Sequence, residues 1–213
     1  MGSSLKIAVI GFIALFGIAG TASACQHNAN AILDENFKNP DPGWGQPDNV
    51  AAFTAAGLTL TPPVSGSAWR WNANYSMAKA DWCVTVANPA TLPVPADEDT
   101  VGAVGIWFWD KDSQNFYTAT ITLDGEASVM RLAGGKWQTV VAPAGAASIK
   151  TGPGAVNEIE IVTNGNTAQF YVNGSLVTDI KGRAPANGGA PGIYGESGPK
   201  GTTWLFQRAR LFQ

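Results

Sequence analysis

Histidine, cysteine and charge are all scarce in this 213-residue chain, and each scarcity removes a class of function. The one histidine, His27, lies near the N-terminus, so the chain offers no Ser-His-Asp triad within its patterned region and no histidine-rich metal centre. Two cysteines, Cys25 and Cys83, are too few for a zinc cage. Only 14% of residues are charged and the formal net charge is −3, with no Lys/Arg cluster, which argues against nucleic acid and anionic membranes as partners. No Gly-x-Ser-x-Gly elbow occurs. The glycines at 152–154 and 188–189 open no helix, as a phosphate-binding loop would. Helical periodicity is missing from residue 25 onward.

The one long apolar run, Ile7 to Ile18, follows Lys6 and precedes Ala22-Ser23-Ala24. A positive start, a short apolar stretch and an A-x-A site predict a secretory signal peptide over 1–24, too short to span a bilayer. Its removal takes away Lys6 and no acidic residue, leaving a slightly more acidic mature chain over 25–213. That length suits a single domain with no second pattern or long linker. Export implies a periplasmic or extracellular protein. In such a compartment, Cys25 and Cys83 are expected to form a disulfide. Lipid attachment at Cys25 is the alternative, which the Ala at position 22 disfavours.

What is abundant is alternation closed by turns. Gly105-Ile-Trp-Phe-Trp109 turns into Phe116–Leu123; Asp124-Gly125, Gly134-Gly135, Asn164-Gly165 and Asn173-Gly174 each separate further alternating runs. Asn-Gly and Asp-Gly suit type I′ hairpin turns, in which both central residues take positive φ. Earlier strands are expected at 31–37, 50–53, 58–61, 67–71 and 80–87, with a Pro-rich crossover between sheets at 89–100. Further strands are expected at 158–162, 169–172, 176–180, 192–195 and 204–212. Short, evenly spaced antiparallel strands predict an all-β, two-sheet sandwich.

The order of motifs adds a resemblance. Glu35-Asn-Phe37, Gly43-Trp44 and Gly57-Leu-Thr-Leu60 are followed by Gly105-Ile-Trp-Phe-Trp-Asp110 and Asn115-Phe-Tyr117. Then come Arg131-Leu132, Gly135-Lys-Trp137, Asn157-Glu-Ile-Glu-Ile161, Phe170-Tyr-Val-Asn-Gly174 and Gly192-Ile-Tyr194. Over residues 31–213 this resembles the concanavalin A-like jelly roll. Within that group it is similar to secreted laminin-G-like domains and to the domains named for 3-keto-disaccharide hydrolysis. The resemblance implies a jelly-roll sandwich and admits lectin, glucanase and non-catalytic members, so function rests on the site.

Tryptophan is the main functional signal. Of eight, only Trp204 lies beyond Gly154, and two pairs alternate, Trp69/Trp71 and Trp107/Trp109. Alternate residues share a strand face, and indoles roughly 6.5–7 Å apart suit stacking on successive sugar rings. Val104, Ile106 and Phe108 are expected in the core, leaving Trp107 and Trp109 on the opposite, concave face with Thr118, Thr120 and Thr122. Arg70, Arg131 and Tyr117 complete the candidate ligand-binding set, the arginines donating to hydroxyls or a carboxylate, or pairing with Asp81 or Asp110. The competing reading is ordinary inter-sheet packing.

Two carboxylate groupings carry weaker readings. Glu158-Ile-Glu160-Ile is similar to the strand motif of laminarinase-type glucanases, where alternate carboxylates serve as nucleophile and acid/base. That motif has Asp between two Glu residues, and its last Glu would fall on Val162 or Thr163. Glu158 and Glu160 are therefore expected on a solvated face. Asp110, Asp112 and Asn115 supply oxygens of the kind calcium binds, without an EF-hand's glycine and closing Glu, and a structural turn is expected. No cofactor is expected, calcium being the alternative. The leading expectation is a non-catalytic module binding carbohydrate or a sugar-like ligand. Glycoside hydrolysis and laminin-G-like adhesion are the competing readings.

Overall fold

The structure, a computed structural model, describes Cys25 and residues 30–91 and 102–213. The expected signal peptide, His27 and most of the expected crossover therefore lie outside the described residues. Among the described residues there are fourteen strands and one short 3-10 turn at Pro42–Trp44. They are β1 (Leu33–Glu35), β2 (Ala51–Thr54), β3 (Gly57–Leu60), β4 (Ser67–Trp71), β5 (Lys79–Ala87), β6 (Ala103–Asp112) and β7 (Asn115–Thr122). The remainder are β8 (Glu126–Ala133), β9 (Lys136–Gly145), β10 (Val156–Asn164), β11 (Thr167–Val172), β12 (Ser175–Lys181), β13 (Gly192–Glu196) and β14 (Trp204–Phe212).

Among the described residues all strand pairings are antiparallel. The larger sheet runs β12-β11-β10-β5-β14-β3-β2, with β1 also on β14, and the smaller runs β4-β13-β6-β7-β8-β9. The chain leaves the larger sheet at β5 and enters the smaller at β6, as the Pro-rich stretch between them led us to expect. This is the two-sheet sandwich expected from the alternation, with the jelly-roll form that the resemblance implied.

Alternation determines what fills the sandwich. The larger sheet contributes Leu58, Leu60, Trp82, Val84, Val86, Ile159, Ile161, Phe170 and Phe206 to one core; the smaller contributes Val104, Ile106, Phe108, Ile121, Val129 and Ile193. Each large apolar side chain so buried stabilises the fold by roughly 1.5–3 kcal/mol. The Trp82 indole also crosses between the sheets, donating to the Gly192 carbonyl at 2.8 Å.

The turns follow their chemistry in part, and at Asp124-Gly125 only the glycine takes positive φ. Asn173-Gly174 and Gly134-Gly135 take positive φ at both central residues, as type I′ requires. Asn164 instead remains in β10, paired with Thr167, so the loop is Gly165-Asn166 with positive φ at Gly165 alone. Asn166 then serves the next loop, accepting from the Ala184 N–H through its side chain at 3.0 Å and from the Gly182 N–H through its carbonyl at 2.9 Å.

Cys25 and Cys83 form the expected disulfide, with Cα atoms 5.8 Å apart and a sequence separation of 58. Closing a loop of that length removes about 4 kcal/mol of freedom from the unfolded chain on the chain-entropy account. Lipidation of Cys25 is incompatible with this bond.

Candidate functional site

The outer face of the smaller sheet is aromatic. Ala68, Ile106 and Ile193 point into the core, so their strand neighbours Trp69, Trp107 and Tyr194 emerge on the other side. Strand register does the rest. β13 lies between β4 and β6, producing one row of Trp71, Gly192 and Trp107 and another of Trp69, Tyr194 and Gly105. Glycine alternates with large rings across these rows, so the indoles of β4 close over β13 onto that of β6. Trp107 stacks on Trp71 at 5.9 Å and 15°, on Trp69 at 5.3 Å and 21°, and on Phe116 at 3.6 Å and 24°. Trp137, brought by β9 opposite Leu132, meets Phe116 edge-on at 5.5 Å and Tyr194 at 6.2 Å.

Exposure divides these six rings by role. Trp107, Phe116 and Tyr194 are each 1% exposed, whereas Trp71 is 40% and Trp137 44% exposed. A solid aromatic layer thus presents one open indole on each side. Beside Trp137 lies a cleft of about 300 Å³ lined by Ser67, Trp137, Tyr194, Glu196 and Ser197 among others. The Tyr194 hydroxyl donates to Glu196 Oε1 at 2.8 Å. Burial, reinforced by the Glu196 carboxylate, pushes the Tyr194 phenol well above its ordinary range, so it remains a donor at any physiological pH. The cleft therefore offers a stacking surface, a fixed hydroxyl and a carboxylate acceptor.

The sequence-derived site divides accordingly. Trp69, Trp71 and Trp107 share this face, but Trp109 does not. The β6–β7 register shifts between Phe108 and Asp112, and Trp109 takes a left-handed φ of 47°. This bulge resets the alternation, turning Trp109 into the inter-sheet core against Phe108 at 5.1 Å and Tyr117 at 5.2 Å. Trp107 is likewise no open floor: its neighbours' rings cover it. Thr118 and Thr120 do lie beside it, both buried, and Thr120 shares a hydrogen bond with Ser128 at 3.1 Å. The Trp107 Nε1–H is buried without a well-formed hydrogen bond.

The charged candidates also have defined partners. Arg70 occupies the opposite side of β4 from its flanking tryptophans and pairs with Asp48, rather than with Asp81 or Asp110. Arg131 lies over the Tyr117 ring, 5.5 Å from its centroid, at one end of the sandwich. Asp110 accepts from the Ala190 N–H, and burial raises its carboxyl above the usual range against that bond. Asp112 accepts from the Gln114 N–H and the Asn115 side chain, which hold it below that range. Asp112 and Asn115 thus close the β6–β7 turn, while Asp110 ties the bulge to the loop at 190. Among the described residues no cluster of three or more potential metal-ligating side chains occurs.

Glu158 and Glu160 lie on the larger sheet, on the outer face opposite the aromatic one. Glu158 pairs with Arg210 at 3.8 Å. Glu160 is not solvated as expected, being only 3% exposed. It stands directly across from Cys83, where the disulfide brings Cys25 down onto the strand. Burial, with the Asp81 carboxylate next to it, raises the Glu160 pKa to about 9.

Phe116, Trp137, Tyr194 and Glu196 were missing from the sequence-derived set. Phe116, Trp137 and Tyr194 sit in quoted motifs and Glu196 lies two residues past one, yet only strand order, with β13 inserted between β4 and β6, brings them together.

The geometry defines a concanavalin A-like jelly roll with an aromatic outer face. By sequence, no protein-family model and no curated protein matches the chain. By structure it is similar to the carbohydrate binding module CBM66 from Bacillus subtilis, with 16% identity, 78% of this chain and 92% of that one covered, and a TM-score of 0.60. It is also similar to the metal-free carbohydrate recognition domain of Emp46p (12% identity, 83% and 93% covered, TM-score 0.59). A third likeness is to Bacillus licheniformis β-glucanase (12%, 88% and 100%, TM-score 0.58). At these identities the likeness establishes the fold. No helix among the described residues is long and apolar enough to cross a membrane.

Proposed function

We propose that this protein is an exported carbohydrate-binding module that holds a glycan without cleaving it. The observation that carries the reading is the pair of open indoles, Trp71 and Trp137, set on a layer of buried Trp107, Phe116 and Tyr194 and half-buried Trp69. Exposed tryptophan held rigid by stacked neighbours loses little freedom on binding, and its face suits the C–H face of a sugar ring. Ser67, Tyr194 and Glu196 supply the donor and acceptors that orient hydroxyls beside Trp137. Similarity to a carbohydrate binding module and to a carbohydrate recognition domain supports the same reading. The disulfide suits an oxidising compartment, in keeping with the expected signal peptide.

The non-catalytic part of the proposal rests on where the carboxylates stand. Glu158 and Glu160 belong to the other sheet, and Glu196 is bound to Tyr194 within the cleft. A retaining glycosidase needs two carboxyl groups about 5–5.5 Å apart across the scissile bond. The test is glycan-array screening of residues 25–213, followed by calorimetry on the best ligand. Trp71→Ala and Trp137→Ala, each folded, should weaken binding about tenfold, the scale of one lost stacking contact. Unchanged affinity in both would refute the site, and release of reducing ends would refute the non-catalytic reading.

A further inference from the structure

A second cavity, of about 230 Å³, opens at the end of the sandwich and touches the aromatic layer through Phe116. Its lining includes Lys111, Arg131 and Arg183 and no carboxylate. In a chain with 13 basic and 16 acidic residues, three cations around one cavity without an acid is a marked imbalance. None of the three makes an ion pair among the described residues, where arginines 70, 208 and 210 all do. The closest acids along the strand are already engaged. Asp110 holds the Ala190 N–H, and Asp112 holds Gln114 and Asn115.

The neutral groups point the same way. The Trp109 ring forms part of the wall. The buried Tyr117 hydroxyl accepts the Arg183 N–H at 3.0 Å, which leaves its own hydrogen to donate. The bulge that removed Trp109 from the outer face is what brings its indole here. Gly182 makes room for it, since a Cβ there would lie 2.3 Å from the Trp109 ring.

We infer that this cavity binds the carboxylate of an acidic sugar, a uronic acid unit of the glycan. The inference rests on the carbohydrate-binding reading and extends it to the class of ligand. Arg131 and Arg183 provide planar donor forks that match a carboxylate, Lys111 a further positive charge, and Tyr117 a neutral donor. Phe116, shared with the Trp107 stack, places the charged group next to the aromatic layer on which the sugar ring would rest.

The test follows backbone amide resonances of Arg183 and Ala184 in isotope-labelled residues 25–213 during titration with glucuronate, glucose and sulfate. Glucuronate should shift them saturably, more weakly at high salt, while glucose leaves them in place. Arg131→Gln and Arg183→Gln should each weaken the glucuronate response at least tenfold. Should either variant fail to fold, Lys111→Gln, at an exposed position, is expected to reduce it several-fold. Equal responses to glucuronate and glucose, or responses unaltered in the folded variants, overturn the inference. Sulfate binding as tightly as glucuronate overturns the assignment to a sugar acid. Trp71-dependent binding of a neutral oligosaccharide, without any glucuronate response, would leave the carbohydrate-binding reading standing and remove this one. A glucuronate response without Trp71-dependent binding of any oligosaccharide would do the reverse.

Discussion

Trp71 and Trp107 stack face to face across Gly192, their ring centroids 5.9 Å apart and their planes within 15°. The glycine makes this possible. A Cβ at position 192 would lie 2.7 Å from the Arg70 carbonyl oxygen and 2.9 Å from Trp107 Cδ1. Gly192→Ala should therefore push the indoles apart at a cost of about 1–3 kcal/mol, the scale of overpacking. Urea unfolding measures that loss, and a shift in tryptophan emission reports the disturbed stack. A variant as stable as the parent with unchanged emission would mean that the row tolerates a methyl group and that the stack is looser than drawn.

The two members of this pair should respond differently to truncation. Trp107 is buried under three rings, so Trp107→Ala opens a cavity and is expected to cost about 3–5 kcal/mol. Trp71, with 40% of its surface open, should cost under half as much while losing ligand affinity. Thermal melts and calorimetry on the two variants separate the effects. If Trp71→Ala proves the more destabilising, the assignment of buried support and open contact is inverted.

How far the sequence led can be argued from these same residues. Alternation around Ile106 and Ala68 sufficed to place Trp107, Trp69 and Trp71 on one face, because period two is a property of any strand. It failed at Trp109, where a bulge advances the count by extra residues, and nothing in Trp-Phe-Trp-Asp announces a positive φ at an indole. Trp137 and Tyr194 escaped for another reason. They join the site through pairings of β9 and β13, whose Trp137 and Tyr194 lie 30 and 87 residues beyond Trp107, and register across such separations is written in no local pattern. The disulfide was legible because two cysteines permit one pairing. The burial of Glu160 was not, since it arises only where β5 and β10 pair and set Glu160 across from Cys83.

The disulfide itself should be worth measuring. Cys83→Ala with Cys25→Ala is expected to lower stability by about 2–4 kcal/mol, most of it through a freer unfolded chain. Chemical denaturation of the double variant against the oxidised parent provides the comparison. Equal midpoints would show that the N-terminal segment is held without the bond.

Glu160 predicts an unusual pH dependence. In the fold its carboxyl keeps a proton up to about pH 9, because it is buried and faces Asp81, with Glu158 adding repulsion and Arg210 only partly offsetting it. Unfolded, it ionises near its ordinary value of 4.5. Between those values the folded state binds the extra proton, so its contribution to stability is full below about pH 4.5 and is lost as pH rises towards 9. Groups that ionise normally give no such slope, and Asp34 and Asp48, lowered beside Arg208 and Arg70, act in the opposite sense at lower pH. Urea midpoints should thus fall between pH 5 and pH 8 for the parent protein. Glu160→Gln, which keeps the shape and cannot ionise, should flatten that fall and leave the variant more stable than the parent at pH 8. An unchanged slope in the variant would place the titrating group elsewhere, and a parent midpoint rising over this range would mean that Glu160 is ionised in the fold.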